Sequence, residues 1–332
     1  MKTSMQTGWT RVASLFLALV ALAAMGPGMA WAQGYPSKPV VIVSPYAPGG
    51  GNDVIARAMA IRLSQKLGQP VIVENKPGAN AVIGADYVAK QPADGYSIVL
   101  LPTQHVYNSA IYEKLPFDPV KDFTPISMVG TAPVIVATRA GAPFKNLQEL
   151  IQYAKQKPAN EVTFSTAGAG STGHLAGALL AQVVGVQFQH VAYKGAAPAA
   201  QALLSGEVMV SISPPASLLP HVRAGKMVAI GMTGSKRSAA APDIPTIREQ
   251  GLKDYDAGLW YGFFGPANMP RDVVTKLNAA INAVLEDKDV REVLAKSGVD
   301  PAGSTPEEFT RMVLADVKRW PPIVKAAGVK LD

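Results

Sequence analysis

The sequence predicts an α/β protein of two lobes, in which mostly parallel sheets are flanked by helices and crossing strands join the lobes. Three observations support this fold class. Short runs rich in β-branched residues alternate with helical patterns over most of the chain, which is typical of parallel sheets. Two extended stretches separate the two series of strands and helices. The chain has 332 residues, which suits two lobes of ordinary domain size.

Apolar runs define the predicted strands, and helical patterns fill the intervals between them. The first series has strands at residues 40–43, 71–73 and 98–101 and helices at 53–67 and 83–90. The second series, which begins near Leu147, has strands at residues 162–165, 188–193, 208–212 and 227–232 and helices at 173–184, 196–204 and 218–224. Two further helices, each with proline at its start, are predicted at residues 270–296 and 306–327.

The extended stretches at residues 126–138 and 259–266 are interpreted as strands that cross between the lobes. Lobe 1 is then discontinuous and comprises residues 33–137 and 259–332, whereas lobe 2 comprises residues 138–258. Such a hinged pair of lobes predicts a ligand cleft between them.

The N-terminus predicts a secretory signal peptide. Lys2 and Arg11 precede an apolar run at residues 12–25, and Ala30 and Ala32 form an A-x-A pattern that predicts cleavage after Ala32. A membrane anchor is the alternative, but the run is short for a span of about 20 residues. The mature chain would begin at Gln33.

Composition excludes several classes of function. The chain has no cysteine, so disulfides and thiolate metal sites are excluded. Its formal charge of +7 falls to +5 without Lys2 and Arg11, and the basic residues are scattered rather than clustered. This distribution does not predict nucleic-acid binding, but it suits small anionic molecules.

Two glycine-rich loops each follow a predicted strand and open a predicted helix. The first contains Gly49, Gly50 and Gly51, and the second has a G-x-G-x-x-G pattern at residues 168–173. A dinucleotide site also needs an acidic residue about 20 positions later, and none occurs between Glu161 and Glu207. We therefore predict no cofactor. Instead, free N–H groups and helix dipoles predict an anion site at both loops, unless the glycines merely form tight turns.

Several segments resemble the Bug family, the extracytoplasmic solute receptors of the tripartite tricarboxylate transporter type. The matching segments run in order along the mature chain: YAPGGGND at residues 46–53, VENKPGA at 73–79, GAGSTGHL at 168–175, YKGAAP at 193–198, PDIPT at 242–246 and WYG at 260–262. The resemblance implies a periplasmic binding protein with a Venus-flytrap fold. It also implies that main-chain amides, hydroxyls and ordered waters hold a carboxylated ligand between two loops.

The glycine loops and this resemblance together predict the residues that bind the ligand. They are Tyr46, Ala47, Gly49, Gly50, Asn52, Asp53, Thr103, Gln104, Ala169, Ser171, Thr172, His174, Tyr193, Gly195 and Ala196. The implied partners are a small carboxylate and either membrane transporter subunits or a sensor. We expect a monomer in the periplasm, with no metal and no catalytic residue.

The sequence departs from the family pattern at two places. Met209 stands where the family often has an acidic residue, so no role of that acid carries over. Gln104 and His105 are bulkier than the residues common in that loop, which predicts a different ligand preference.

A secreted hydrolase that uses Ser171 and His174 is the alternative function. These residues are three positions apart, but no third orienting group is indicated, and neither G-x-S-x-G nor H-E-x-x-H is present. For His174 two roles stay open at this point: a packed or capping residue, or an imidazolium that contacts the ligand. Asp53 is expected in the first helical turn or bonded to backbone amides.

Overall fold

The computed structural model describes residues 34–239 and 241–328. The predicted signal peptide, including its cleavage site after Ala32, lies outside the described residues. The chain divides after Ser37. The described residues before that point, 34–37, contain neither helix nor strand. Within the described part, no helix combines the length and apolarity that crossing a bilayer would require.

The unit that starts at Lys38 alternates strands and helices. Its strands are β1 (Val40–Ser44), β2 (Val71–Asn75), β3 (Ser97–Pro102), β4 (Phe123–Ala132), β5 (Ile135–Arg139), β6 (Thr163–Thr166), β7 (Gln189–Ala192), β8 (Val210–Ser213), β9 (Met227–Met232), β10 (Leu259–Pro266) and β11 (Asp300–Pro301). Its helices are α1 (Gly51–Leu67), α2 (Val82–Ala89), α3 (Gln104–Ile111), α4 (Leu147–Lys155), α5 (Thr172–Val184), α6 (Ala196–Ser205), α7 (Pro215–Arg223), α8 (Arg271–Leu285), α9 (Lys288–Lys296) and α10 (Pro306–Ala326), with a 3₁₀ turn at Ala79–Ala81.

Two sheets confirm the predicted two-lobed α/β fold. The lobe 1 sheet has the order β11-β4-β10-β3-β1-β2, and the lobe 2 sheet has the order β7-β6-β8-β5-β9. The β1, β2 and β3 strands are mutually parallel, as are β6, β7 and β8. However, β10 runs antiparallel to β3 and β4, and β5 runs antiparallel to β8 and β9. Both sheets are therefore mixed, because β10 in the lobe 1 sheet and β5 in the lobe 2 sheet run opposite to the parallel strands.

The first crossing is shorter than predicted. One strand was expected over residues 126–138, but β4 ends at Ala132 and β5 begins at Ile135 in the other sheet. Pro133 and Val134 therefore connect the sheets, and the expected lobe boundary between residues 137 and 138 falls inside β5. The second crossing leads into β10, whose bounds match the prediction. The division into domains itself stays a prediction.

Helix signals explain where the two cleft-facing helices begin and end. The Ser171 hydroxyl accepts from the His174 N–H and caps α5, which ends at Gly185 in the left-handed conformation. Helix α1 begins after Gly50 without a side-chain cap and ends at Gly68, also left-handed. Left-handed backbone favours glycine, which has no Cβ. The predicted helix at residues 270–296 is in fact two helices, α8 and α9, and α3 was not predicted.

Candidate functional site

A cavity of about 310 Å³ lies between the lobes. It is next to the carboxyl ends of β1 and β3 and next to the loop that follows β6. Its lining residues come from both lobes: Tyr46, Gly50, Gly51, Asn52, Pro102, Gln104, Tyr107, Gly170, Ser171, Thr172, Leu259 and Tyr261. The two glycine loops thus meet at one cavity, as the sequence predicted for an α/β cleft.

The first glycine loop presents the N-terminus of α1 to the cavity. Gly49 has φ = 79°, so this is the position in the loop that favours glycine. Gly50 has φ = −70° and its N–H donates to the Ala47 carbonyl at 3.2 Å. Gly51 and Asn52 occupy the first helical turn, where N–H groups have no partner inside the helix. A ligand anion can accept from those groups.

Asp53 is a buried side chain that fixes the first glycine loop by hydrogen bonds. It is 2% exposed, and its carboxylate accepts from the Gly49 N–H at 2.9 Å, Arg57 Nε at 2.9 Å and Asn75 Nδ2 at 2.7 Å. Burial alone would raise the pKa of Asp53, but the bonds from Arg57, Gly49 and Asn75 outweigh it and lower the pKa to about 2. The carboxylate is thus ionised and fully engaged, and it fixes the loop rather than lining the cavity.

Asn52 is a second buried anchor of the same turn. Its Oδ1 accepts from the Ser44 hydroxyl at 2.9 Å, and its Nδ2 donates to the Leu100 carbonyl at 3.0 Å. These bonds tie α1 to β1 and β3. The Asn52 side chain therefore positions the helix, which leaves its backbone N–H as the group that can face an anion.

The second glycine loop presents the N-terminus of α5. Gly168 and Gly170 have positive φ values of 145° and 71°. The Gly170 N–H donates to His174 Nδ1 at 3.1 Å, and Ser171 caps the helix. Gly173 packs so tightly on β8 that an added Cβ would overlap the Ile212 carbonyl oxygen. The loop geometry therefore depends on both His174 and Gly173.

His174 belongs to the support of the loop. Its ring stacks on His190 with centroids 3.7 Å apart and planes 11° apart, and His190 Nε2 lies 2.7 Å from Thr166 Oγ1. Burial lowers the pKa of His174 to about 4, and burial together with the His174 ring lowers the pKa of His190 to about 4. The lowered pKa values and the Gly170 N–H that His174 Nδ1 accepts favour neutral rings and the packed role, and contact of His174 with a ligand stays a prediction.

The same contacts argue against the hydrolase alternative. His174 Nδ1 is taken by the Gly170 N–H, and Ser171 Oγ accepts from the His174 backbone rather than bonding to its ring. A serine nucleophile needs its base on the hydroxyl. The Ser171–His174 pair is therefore a helix start and not a catalytic pair.

The histidine stack predicts a loss of stability in mild acid. The unfolded chain takes up protons near the ordinary pKa of 6.5, whereas folded His174 does so near 4. We expect the free energy of unfolding to decrease as pH falls through this interval. Urea titrations from pH 7 to pH 4 can measure it. The His174→Phe variant keeps a flat ring that binds no proton, so an undiminished pH dependence in that variant would contradict the assignment.

The lobe 1 wall of the cavity is a cluster of phenols and one amide. The Tyr46 hydroxyl donates to Gln104 Oε1 at 3.1 Å. Burial raises the pKa of Tyr46 and of Tyr107, and the Tyr261 phenol raises both further. These phenols therefore stay protonated. Thr103 is buried, and its hydroxyl accepts from the Trp260 N–H at 2.7 Å.

The predicted residues thus fall into three groups. Those that line the cavity are Tyr46, Gly50, Asn52, Gln104, Ser171 and Thr172. Those that hold its loops from outside the lining are Ala47, Gly49, Asp53, Thr103 and His174. The others lie at the second loop and at the start of α6: Ala169, Tyr193, Gly195 and Ala196.

The residues at the start of α6 and just before it, Tyr193, Gly195 and Ala196, do not line this cavity. The Tyr193 hydroxyl donates to Glu207 Oε1 at 2.7 Å, and the pKa of Tyr193 is raised to about 12 by partial burial and by Glu207. The Gly195 N–H donates to the Ala167 carbonyl at 3.2 Å. Contact of Tyr193, Gly195 and Ala196 with a ligand stays a prediction.

The prediction missed Gly51, Pro102, Tyr107, Gly170, Leu259 and Tyr261. A signal existed for Tyr261, which lies within the family-like WYG segment, and for Gly51 and Gly170, which belong to the glycine loops. Of the departures noted in the sequence, Gln104 faces the cavity. His105 is buried against Phe117 and Phe123, and its Nε2 lies 2.9 Å from the Pro119 carbonyl oxygen. Met209 is partly buried in lobe 2.

Comparisons with a family model, with related sequences and with solved structures all indicate the same family. Residues 55–329 match the family model described as the tripartite tricarboxylate transporter family receptor. Protein BugT of Bordetella pertussis is 34% identical over 302 residues, covering 90% of this chain and 92% of BugT. A TctC solute binding protein from Polaromonas superposes with a TM-score of 0.81 at 30% identity, covering 88% of this chain and 99% of that one. An R. palustris protein solved with adipate has a TM-score of 0.70 at 33% identity, covering 90% and 100%.

Proposed function

The chain belongs to the tripartite tricarboxylate transporter receptor family, and from this premise we propose that it binds a small carboxylate in the cavity between its lobes. Relatives in this family are solute-binding receptors and not enzymes. The observation that carries the proposal is that α1 and α5 both direct their N-termini into one cavity. Two helix dipoles and several unpaired N–H groups then favour one anion. The R. palustris relative, which was solved with adipate, supports a carboxylate ligand.

The same membership supports a proposal for the physiological setting. We propose that the receptor works as a monomer in the periplasm, where it delivers its ligand to membrane transporter subunits or to a sensor. The apolar run at residues 12–25 and the Ala30-x-Ala32 pattern support export.

Export predicts a defined N-terminus. Protein recovered from the periplasm should begin at Gln33, because cleavage is expected after Ala32. Edman sequencing or intact-mass measurement checks this. A periplasmic product that retains residues 1–32 would contradict the proposal, and Ala32→Arg, which spoils the small-residue site, should block cleavage as a control.

Ligand binding should close the lobes about the two crossings. Thr233 connects the two crossing segments. Its Oγ1 accepts from the Val134 N–H at 3.0 Å, and its carbonyl accepts from the Ala257 N–H at 2.9 Å. A ligand favours the closed state only through contacts made to both lobes. We expect the radius of gyration from small-angle X-ray scattering to decrease at saturating ligand. An unchanged radius would count against closure.

Native mass spectrometry of protein purified without refolding tests the proposed function directly. A retained acid should add its mass to the folded protein and disappear after denaturation. Isothermal titration with a panel of mono-, di- and tricarboxylates should then give saturable binding. If no retained acid is found and no member of the panel binds, the proposed function is wrong.

A further inference from the structure

We propose that Gln104 recognises the second end of the ligand, and that this end is a neutral hydrogen-bond acceptor such as a carboxamide instead of a second carboxylate. The proposal rests on the proposed function, since it concerns the same cavity. It follows from how Tyr46 orients the Gln104 amide and from the charge of the cavity wall.

The Tyr46 hydroxyl fixes which way the Gln104 amide points. This phenol is protonated and partly buried, and its hydroxyl oxygen lies 3.1 Å from Gln104 Oε1. With the amide reversed, the Gln104 NH₂ would donate to the phenol oxygen and the phenol hydrogen would lose its acceptor. A partly buried donor without a partner is unfavourable, so the observed orientation is preferred. Gln104 Nε2 is then left to donate into the cavity that the residue lines.

The cavity has a countercharge for one carboxylate only. The N-termini of α1 and α5 together supply partial positive charge equivalent to about one unit charge. Among the described residues that line the cavity, none is lysine, arginine or histidine, and the ionisable ones are the neutral phenols of Tyr46, Tyr107 and Tyr261. A second carboxylate on this wall would lose its hydration without gaining a cation, and it would repel the first.

A carboxamide suits the wall better. Its carbonyl can accept from Gln104 Nε2, and its NH₂ can donate to a phenol oxygen of Tyr107 or Tyr261, both of which line the cavity. Neutral groups satisfy each other there without a buried charge. The phenols thus provide the complementary acceptors that a carboxylate would not use.

Isothermal titration with matched ligands tests the proposal. Dicarboxylates of four to six carbons are compared with their monoamides and with the fatty acids of the same length, for example adipate, 6-amino-6-oxohexanoate and hexanoate. We expect the monoamide to bind at least tenfold more tightly than the dicarboxylate. Gln104→Lys should raise dicarboxylate affinity relative to the monoamide, because it adds a cation. Gln104→Met should remove the preference of the monoamide over the fatty acid.

Tyr46→Phe separates orientation of the amide from general support of the site. If Tyr46 orients Gln104, this variant should weaken binding of the monoamide several-fold more than binding of the fatty acid, whereas a merely structural role would weaken both equally. A dicarboxylate that binds wild type more tightly than its monoamide, or a ratio unchanged in Gln104→Lys, would overturn the inference and leave the proposed function intact. If no acid of four to six carbons binds, the inference is likewise wrong, and the proposed function falls only if native mass spectrometry also finds no acid.

Discussion

Replacing Gly173 with alanine should lower both stability and ligand affinity. Gly173 is in the first turn of α5, where an added Cβ would overlap the Ile212 carbonyl oxygen and lie 3.3 Å from Thr166 Cβ. Neither the strand backbone nor the capped helix can yield easily. Overpacking of this kind costs about 1–3 kcal/mol of unfolding free energy. Because α5 carries Ser171 and Thr172 into the cavity, its displacement should also weaken binding by roughly tenfold to a hundredfold.

Gly51→Ala is the matched control for stability. Gly51 occupies the first turn of α1, the corresponding cleft helix of lobe 1, and a Cβ there would meet nothing within 4 Å. Alanine in an open helical position is favoured over glycine by up to about 1 kcal/mol. Urea unfolding should therefore show Gly173→Ala less stable than wild type and Gly51→Ala equal or more stable. Equal stability of the two variants would mean that α5 does not need close contact with β8.

Regular alternation made most of the fold predictable from sequence. The β9 and β10 strands have the predicted bounds, because each is an uninterrupted apolar run that ends at turn residues. The crossing at residues 133–134 was not predicted, since residues on both sides are apolar and the change of sheet depends on tertiary pairing. Helix α3 was missed because Gln104–Ile111 is short and opens with polar residues.

The parts of the site that depend on local backbone structure could be predicted from the sequence. The parts that are formed by side chains from distant segments could not. The glycine loops revealed the helix N-termini. Within the first loop, however, the position whose backbone favours glycine is Gly49, with φ = 79°, and not Gly50, with φ = −70°. The phenol wall joins Tyr46, Tyr107 and Tyr261 from three separate segments. The pairing of β10 with β3, in which Tyr261 lies opposite Pro102, brings the last of these to the cavity.

The Asp53 carboxylate should contribute stability that disappears in acid. Its pKa is lowered from 3.8 to about 2 in the folded chain. The unfolded chain therefore takes up the proton first, so the contribution is complete above pH 4 and is lost as pH falls through about 2. A shift of this size corresponds to about 2 kcal/mol. Asp53→Asn should remove this contribution at pH 7, and the stability difference between wild type and the variant should shrink between pH 4 and pH 2.

The same variant should weaken ligand binding, because Asp53 clamps the Gly49 N–H and thereby shapes the α1 loop. Glu292→Gln is the control, since Glu292 and Lys296 form an ion pair at the same i,i+4 spacing as Asp53 and Arg57 but on the exposed surface. Exposed pairs of this kind contribute about 0.3–0.5 kcal/mol. Titration at pH 7 should therefore show reduced affinity for Asp53→Asn alone. If both variants bind like wild type, the loop keeps its shape without the buried carboxylate, and Asp53 acts on stability only.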